Sequence, residues 1–474
     1  MNLANLAKND TIIAPATAPG MGAIAVLRIS GPQAIHFVQQ RFKAVKGNKN
    51  LSAQNSHTAH FAYLMDDGKV LDEVLITLFS AGKSYTGEET VEISCHGSTY
   101  ITQKILEVFL KDGLRIADPG EFTMRAYRSE KYDLAQAEAV ADLIHSTNQY
   151  GAEIALEQMR GGFSNQIEDL RTQLLDFASL IELELDFAEE DGEFADRTQF
   201  LQLVAEIQKL LSSLIQSFQW GNAIKNGIPV AIVGKPNVGK STLLNLILND
   251  ERAIVSDIAG TTRDVIEDVI KIDGLDYRFI DTAGIRETTD YVEGEGIKKT
   301  FQKIAQAKIV LHLLDVQELK NENSIDFLQD LFKQQYAQFS DKKIVFVLNK
   351  SDLLSKEEFN TIAQANYPGD FDCILISAKE NQGTEKLIET LTEFVKNGLV
   401  STSDIVVTNI RHVQAMEQAQ NALTRVTQAM QTQIPSDLIA IDIRAALQSL
   451  GSITGHITTD DLLGNIFSKF CIGK

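Results

Sequence analysis

Cysteine is scarce. The 474-residue chain carries three, Cys95, Cys373 and Cys471, and no two stand in a C-x-x-C pair. That excludes a disulfide framework and a thiolate zinc cage, and it fits a reducing compartment such as the cytoplasm. The eight histidines show no metal-ligand spacing. Long apolar runs are missing too. Nothing approaches the ~18 residues needed to cross a bilayer, and the opening M-N-L-A-N-L-A-K-N-D is too short and too polar for a secretory core. Positive charge is in deficit: 44 Lys and Arg stand against 64 Asp and Glu, a net charge of −20. A dedicated nucleic-acid binder usually shows a basic excess, so RNA would have to be met through a local patch or a partner protein. With 8 prolines and 30 glycines the chain is neither fibrous nor disordered, and 44% hydrophobic residues suffice to fill cores. At roughly 100–200 residues per domain, the length predicts about three domains.

Proline also marks the organisation. It occurs at 15, 19, 32 and 119 and is then absent until Pro229. Helix interiors expel proline, which lacks the N–H donor and clashes one turn back, so the intervening stretch reads as helical. Ile167, Leu170, Leu174, Phe177 and Ile181 step by three and four, giving one apolar stripe for a core or helix seam. Segment 180–196, with eight carboxylates and no base, reads as a solvated helix end or loop. Earlier, 23–30, 74–79 and 90–94 are β-branched, partly alternating runs, so 1–125 is expected to be an α+β domain. Helical parts are expected at 126–222 and 397–474. Between them, at 223–396, apolar strands 229–233, 277–280, 308–315, 343–348 and 373–376 alternate with helical segments. That rhythm predicts a mainly parallel, doubly wound α/β sheet of Ras-like type, inserted into a helical domain and closing at an Asn397-Gly398 break.

After the first of those strands comes G-K-P-N-V-G-K-S, Gly234 to Ser241, which matches G-x-x-x-x-G-K-[ST] in its strand–loop–helix context. Gly234 and Gly239 let backbone N–H groups of Asn237, Val238 and their neighbours curl round phosphates, and the helix opening at Lys240, Ser241 and Thr242 favours an anion. Lys240 is expected to neutralise the outer phosphates, and the Ser241 hydroxyl to ligate Mg²⁺. Asp281-Thr282-Ala283-Gly284 follows a second strand; Asp281 suits a magnesium outer sphere and Gly284 a contact to the terminal phosphate. In D-I-A-G-T-T-R-D (257–264), Thr262 can complete the magnesium shell. Asn349-Lys350-Ser351-Asp352 closes another strand, where the Asp352 carboxylate can accept two N–H bonds that guanine offers and adenine does not; such a site rejects the wrong base by roughly 10⁴–10⁵. Ser377-Ala378-Lys379 can present a backbone N–H to the guanine oxygen. Together these imply GTP.

Ile285 follows Gly284, where Ras-like enzymes place a water-orienting glutamine, and no arginine finger is evident in the chain. A fingertip charge is worth about 10³–10⁵ in rate. Asn237 is either the ligand of a monovalent cation doing that work or simply a turn residue.

The ensemble resembles the MnmE (TrmE) family of tRNA uridine-modification GTPases. The resemblance rests on G-K-P-N-V-G-K-S, D-I-A-G-T-T-R-D, D-T-A-G-I-R with Glu293 downstream, N-K-S-D, the terminal F-C-I-G-K and, near the N-terminus, A-P-G-M-G-A-I-A-V-L-R-I-S-G, S-Y-T-G-E-E, P-G-E-F-T-M-R-A and D-L-A-Q-A-E-A. It implies a folate-binding and dimerising N-terminal domain, a helical domain and an inserted GTPase domain. It further implies K⁺-stimulated hydrolysis as two GTPase domains meet, with Asn237, Ser256, Ile258 and Thr261 holding potassium and Glu293 organising the attacking water. Arg286 would belong to the segment coupling GTP state to the partner. That partner is an MnmG-like protein carrying FAD and using NADH, in a heterotetramer that adds an aminomethyl or carboxymethylaminomethyl group to carbon 5 of the wobble uridine of tRNA. The one-carbon unit comes from 5,10-methylene-tetrahydrofolate, with a 5-formyl form as the alternative ligand.

The positions matching the family's folate site are Arg28, Glu92, Lys131 and Lys474. Read alone, Glu92 on an alternating strand is a surface residue. Cys471, four residues from the end, fits a prenylation box poorly beside Gly473 and Lys474; it is a packed thiol or, by the resemblance, a nucleophile near folate. Arg115, Arg125, Arg128 and Lys131 form a basic run that a folate tail, tRNA phosphate or a plain solvated face would each explain. The rival function is a regulatory or ribosome-assembly GTPase that binds RNA without modifying it. It would be expected to append a basic RNA-binding module.

Overall fold

The computed structural model describes residues 10–186, 197–248, 253–255, 268–280, 301–319, 324–339, 342–363, 371–400, 405–432, 436–471 and 473. The chain forms two compact units. One comprises Met1–Ile144, Leu156–Val204 and Gln418–Lys474, the other His145–Ala155 and Ala205–Glu417.

In the first unit, alternating runs form a seven-stranded sheet of β1 (Ile12–Pro15), β2 (Ile24–Ser30), β3 (Phe42–Ala44), β4 (Thr58–Asp66), β5 (Lys69–Phe79), β6 (Thr90–His96) and β7 (Arg115–Ile116). The order is β3-β4-β5-β6-β2-β1-β7, antiparallel except where β7 joins β1. Period-two alternation sends Ala25, Leu27 and Ile29 of β2, with Val91, Ile93 and Cys95 of β6, into one core beneath helices Ala34–Arg41 and Thr99–Lys111. The intervening residues, Arg28 and Glu92 among them, face away from that core. Helices Gly162–Asp186 and Ser436–Thr454 pack against each other. Ile167, Leu170, Leu174 and Phe177 are buried as their spacing requires, while Ile181 lies outside the side chains described. Of the acidic segment, the helix continues to Asp186, and 187–196 lie outside the described residues.

Two of the four residues of the basic run depart from all three readings of it. Arg115 and Arg125 serve an internal ion network and are not a patch for an external anion. Glu121, 1% exposed, accepts from Arg115 at 2.6 Å and from Arg125 at 2.9 Å. Asp10 accepts from both guanidiniums, each at 2.8 Å, and Arg125 also donates to Glu88 at 3.0 Å. Buried charge is tolerable only when paired and fully hydrogen-bonded; two arginines among three carboxylates meet that demand. Arg128 and Lys131 remain exposed.

In the second unit, β8 (Ile228–Val233), β9 (Ala253–Val255), β10 (Asp268–Ile272), β11 (Leu275–Phe279), β12 (Ile309–Asp315), β13 (Lys343–Asn349) and β14 (Phe371–Leu375) pair in the order β14-β13-β12-β8-β11-β10-β9. The first five in that order are parallel, and β10 and β9 close the edge antiparallel. Ile309 to Leu314 are all buried, the near-continuous apolar texture of a strand covered on both faces. The expected doubly wound sheet is present.

The Asn397-Gly398 break is not. Helix Thr384–Val400 runs through it. A Cβ at Gly398 would lie 2.1 Å from the Trp220 ring, so close packing and not helix termination selects glycine there. Ahead of helix Gln149–Met159, Asn148 caps by accepting from Gly151 N at 2.7 Å and donates to Asp276 at 3.0 Å, while Thr147 donates to the same carboxylate oxygen at 2.5 Å.

Glu121→Ala removes the buried carboxylate that Arg115 and Arg125 share and leaves them Asp10 and Glu88. It is expected to cost about 1–3 kcal/mol in urea unfolding of the full chain. A loss under 1 kcal/mol would mean that the network adds nothing.

Candidate functional site

Parallel strands deliver their C-terminal ends to one edge, where α/β sheets bind ligands. Four loops meet there. After β8, Gly234 takes φ +146°, and a Cβ on it would lie 2.5 Å from the Leu313 carbonyl of β12. Gly239 takes φ +101°, and its Cβ would fall 2.2 Å from Asn349 Nδ2. The loop can close only on glycine at both places. Between them Asn237 sits at φ +62°, exposed, a left-handed conformation that asparagine tolerates better than most residues. The backbone alone therefore accounts for an asparagine at 237. Helix Lys240–Leu248 follows at once, with Ser241 half-buried and Thr242 exposed in its first turn. Lys240 Nζ donates to the carbonyls of Gly234 at 2.8 Å and Lys235 at 2.7 Å. Burial, and then Lys303, holds its ammonium below the usual lysine range.

After β13, the buried amide of Asn349 joins three loops. Its Nδ2 donates to the Val238 carbonyl at 2.8 Å and its Oδ1 accepts from Ala378 N at 3.0 Å. Asp352 is exposed and aligned by Ser377, whose fully buried hydroxyl donates to Oδ1 at 2.6 Å and accepts from Glu380 N at 3.2 Å. Lys379 projects into solvent. Lys350, at φ +67°, reaches Asp315 Oδ2 at 2.7 Å. Thus Gly234, Asn237, Val238, Gly239, Lys240, Ser241, Thr242, Asn349, Lys350, Asp352, Ser377, Ala378 and Lys379 occupy one sheet edge. Ser256, Ile258, Thr261, Thr262, Asp281, Thr282, Ala283, Gly284, Arg286 and Glu293 lie outside the described residues.

Two residues of this edge escaped sequence reasoning. Asp315 carried a signal, the carboxylate ending an otherwise apolar strand. His312 carried none. It shares a 2.8 Å hydrogen bond with the Tyr336 hydroxyl, and burial, with Lys240 and Lys235 adding to it, pushes its pKa down to about 4.

The first unit holds a second cluster. The register sets Arg28 opposite Glu92. Arg28 Nε donates to Glu92 Oε1 at 2.9 Å, and the guanidinium lies 5.2 Å from the Tyr85 ring centre and 5.6 Å from that of Phe122. The chain's end comes to the same place: Arg28 donates to the Gly473 carbonyl at 3.4 Å, and Gly473, at φ +97°, has no room for a Cβ against the Pro15 carbonyl. Cys471 is exposed, its carbonyl 3.4 Å from Gly120 N. Tyr132, beside the exposed Lys131, stands 6.0 Å from Tyr85. Lys474 is outside the described residues. Among the described residues no helix is long and apolar enough to cross a membrane, and no metal-binding cluster of His, Cys, Asp and Glu occurs.

The chain matches the family model of the MnmE helical domain over residues 134–471 and that of the GTP-binding protein TrmE N-terminus over residues 11–131. The tRNA modification GTPase MnmE of Flavobacterium johnsoniae is 54% identical over 465 residues, covering 98% of this chain and 99% of that protein. Its counterpart from Christiangramia forsetii is 53% identical over 472 residues, with 98% and 99% covered. Among solved structures, the G domain of the T. maritima FeoB iron transporter aligns with 35% of this chain and 98% of its own at 21% identity, with a TM-score of 0.23.

Asn349→Ala leaves the Val238 carbonyl and Ala378 N–H buried without their partner, at about 1–3 kcal/mol. Hydrogen exchange over residues 234–240 and 377–379 is expected to accelerate together; acceleration in one loop alone would break the claimed linkage. His312 stays neutral in the fold until about pH 4, whereas an unfolded histidine protonates near pH 6.5. Its contribution is whole above pH 6.5 and falls progressively as the pH drops toward 4. A His312→Gln variant is expected to lose less stability than the wild type over that interval in parallel denaturation series.

Proposed function

Because this chain belongs to the MnmE (TrmE) family of tRNA modification GTPases, we propose that it hydrolyses GTP to drive modification of the wobble uridine of tRNA. The family assignment comes from more than half-identical relatives over almost the whole chain. The single structural observation carrying the nucleotide reading is the joining of the Gly234–Ser241 loop to both base-side loops by Asn349. It is a GTP hydrolase, with tRNA as the substrate class.

Lys240, anchored to loop carbonyls, is poised to exchange them for phosphate oxygens, a stronger, charge-assisted pairing. Ser241 offers a hard hydroxyl oxygen, the donor type Mg²⁺ prefers; with Thr262 it would hold that ion, which neutralises charge between the outer phosphates. Asp352, its Oδ1 fixed by Ser377, presents a carboxylate to guanine N–H groups. Asn237, Ser256, Ile258 and Thr261 would hold K⁺ where other GTPases use arginine, with Glu293 ordering water and Arg286 in the coupling segment. Hydrolysis then accelerates as two GTPase domains of a homodimer meet.

On the sheet face, Arg28 binds Oε1 of Glu92, and Oε2 has no partner among the described residues. That supports Glu92 as acceptor for the N–H edge of a tetrahydrofolate pterin. Arg28 then orients Glu92, leaving Lys131 and Lys474 for the glutamate tail. Cys471, exposed in the C-terminal segment that brings Gly473 to Arg28, is the nucleophile candidate. Redox chemistry with FAD and NADH belongs to an MnmG-like partner in a cytoplasmic heterotetramer, which adds the aminomethyl or carboxymethylaminomethyl group.

Turnover is expected to be at least tenfold faster in KCl than in NaCl and to rise with protein concentration. Equal rates in the two salts would remove the potassium site. Purified protein titrated with 5-formyl-tetrahydrofolate is expected to saturate, and Glu92→Ala to abolish that saturation.

A further inference from the structure

β12 lies between β8 and β13, so its C-terminal end stands between the phosphate loop and the base-recognition loop. Its last residue, Asp315, pairs in register with Asn349. One carboxylate oxygen, Oδ2, accepts from Lys350 Nζ at 2.7 Å; the other accepts from Gln317 N at 3.1 Å, at the head of the short turn Val316–Leu319. The carboxylate is thereby fixed in rotation before it meets the lysine, and its side chain is 18% exposed. Lys350 in turn has its backbone held at φ +67° between a buried strand end and the turn Ser351–Leu353.

We infer that Asp315 is a positioning residue for guanine-nucleotide binding, holding the Lys350 side chain docked before the nucleotide arrives. The inference rests on reading Lys350 as part of the base site. A lysine free in solvent samples many rotamers and loses that freedom on binding; one already docked has lost it in the free protein, and preorganisation of this kind appears as affinity. The bland alternative is an exposed ion pair of little energetic consequence. The same turn supplies such a pair for comparison. Lys235 of the phosphate loop meets Glu318 at 2.8 Å, but the Lys235 side chain is 69% exposed and, among the described residues, Glu318 has no contact comparable to that of Gln317 with Asp315.

The test uses the full-length chain. Asp315→Asn keeps the volume and an Oδ1 acceptor for Gln317 N and deletes only the charge facing Lys350. Stopped-flow release of a fluorescent GDP is expected to quicken, and its Kd to rise, by about tenfold. KM for GTP should follow while kcat stays within about twofold. Asp315→Glu is expected to recover part of the affinity, and Glu318→Gln to leave release unchanged. Lys350→Gln separates the positioning role from the base-site reading. If it weakens GDP binding while Asp315→Asn does not, the positioning role is overturned and the base-site reading stands; if both are silent, the base-site reading fails. Tighter GDP binding in Asp315→Asn would also overturn the proposal, since Asp315 would then be competing with the nucleotide for Lys350.

Discussion

The carboxamide of Asn349 is the point at which three loops of the second unit depend on one another. It is buried and spends its donor on the phosphate-type loop at Val238 and its acceptor on Ala378. No other neutral side chain offers a donor and an acceptor in that fork with so short a stem. Because Gly239 has given up its Cβ to admit the same amide, the glycine and the asparagine are one packing decision. Asp315 and Ser377 then act outward from this centre, each fixing a charged residue, Lys350 or Asp352, that solvent would otherwise leave mobile.

The first unit solves a different problem with similar means. The sheet's second face carries a smaller apolar cluster of Ile12, Ala14, Ala117 and Phe122, and beside it β2 and β6 place Arg28 against Glu92, with the rings of Tyr85 and Phe122 next to the guanidinium. Phe467 and Phe470 pack with Met124 and Leu134, which brings the C-terminal tail to this face and lets Gly473 reach Arg28. The ion network of Asp10, Glu88, Arg115, Glu121 and Arg125 ties down the loop bearing Tyr85 through Glu88, which also accepts from Ser30, 2.9 Å away. The family models matched over 11–131 and 134–471 span both this face and the nucleotide edge.

Much of the second unit was legible because its signals are local. Glycine at 234 and 239, a lysine and serine opening a helix, and apolar strands at regular spacing each report on their own backbone. Half of the basic run was illegible for the opposite reason: nothing local distinguishes Arg115 and Arg125, paired with carboxylates up to 115 residues away, from the exposed Arg128 and Lys131. Asn397-Gly398 misled in the same way, since the ring that makes Gly398 necessary comes from Trp220.

Sequence by itself determined the strand and helix periods, the loop glycines, the order of the nucleotide motifs and the family. Tertiary structure alone decided which side chains became partners: Arg28 with Glu92 and Gly473, Lys350 with Asp315, Asn349 with two distant loops. Periodicity encodes which face a residue takes, and that is a property of neighbours along the chain. Pairing depends on register and sheet order, which arise only when segments far apart in sequence bury their apolar faces together.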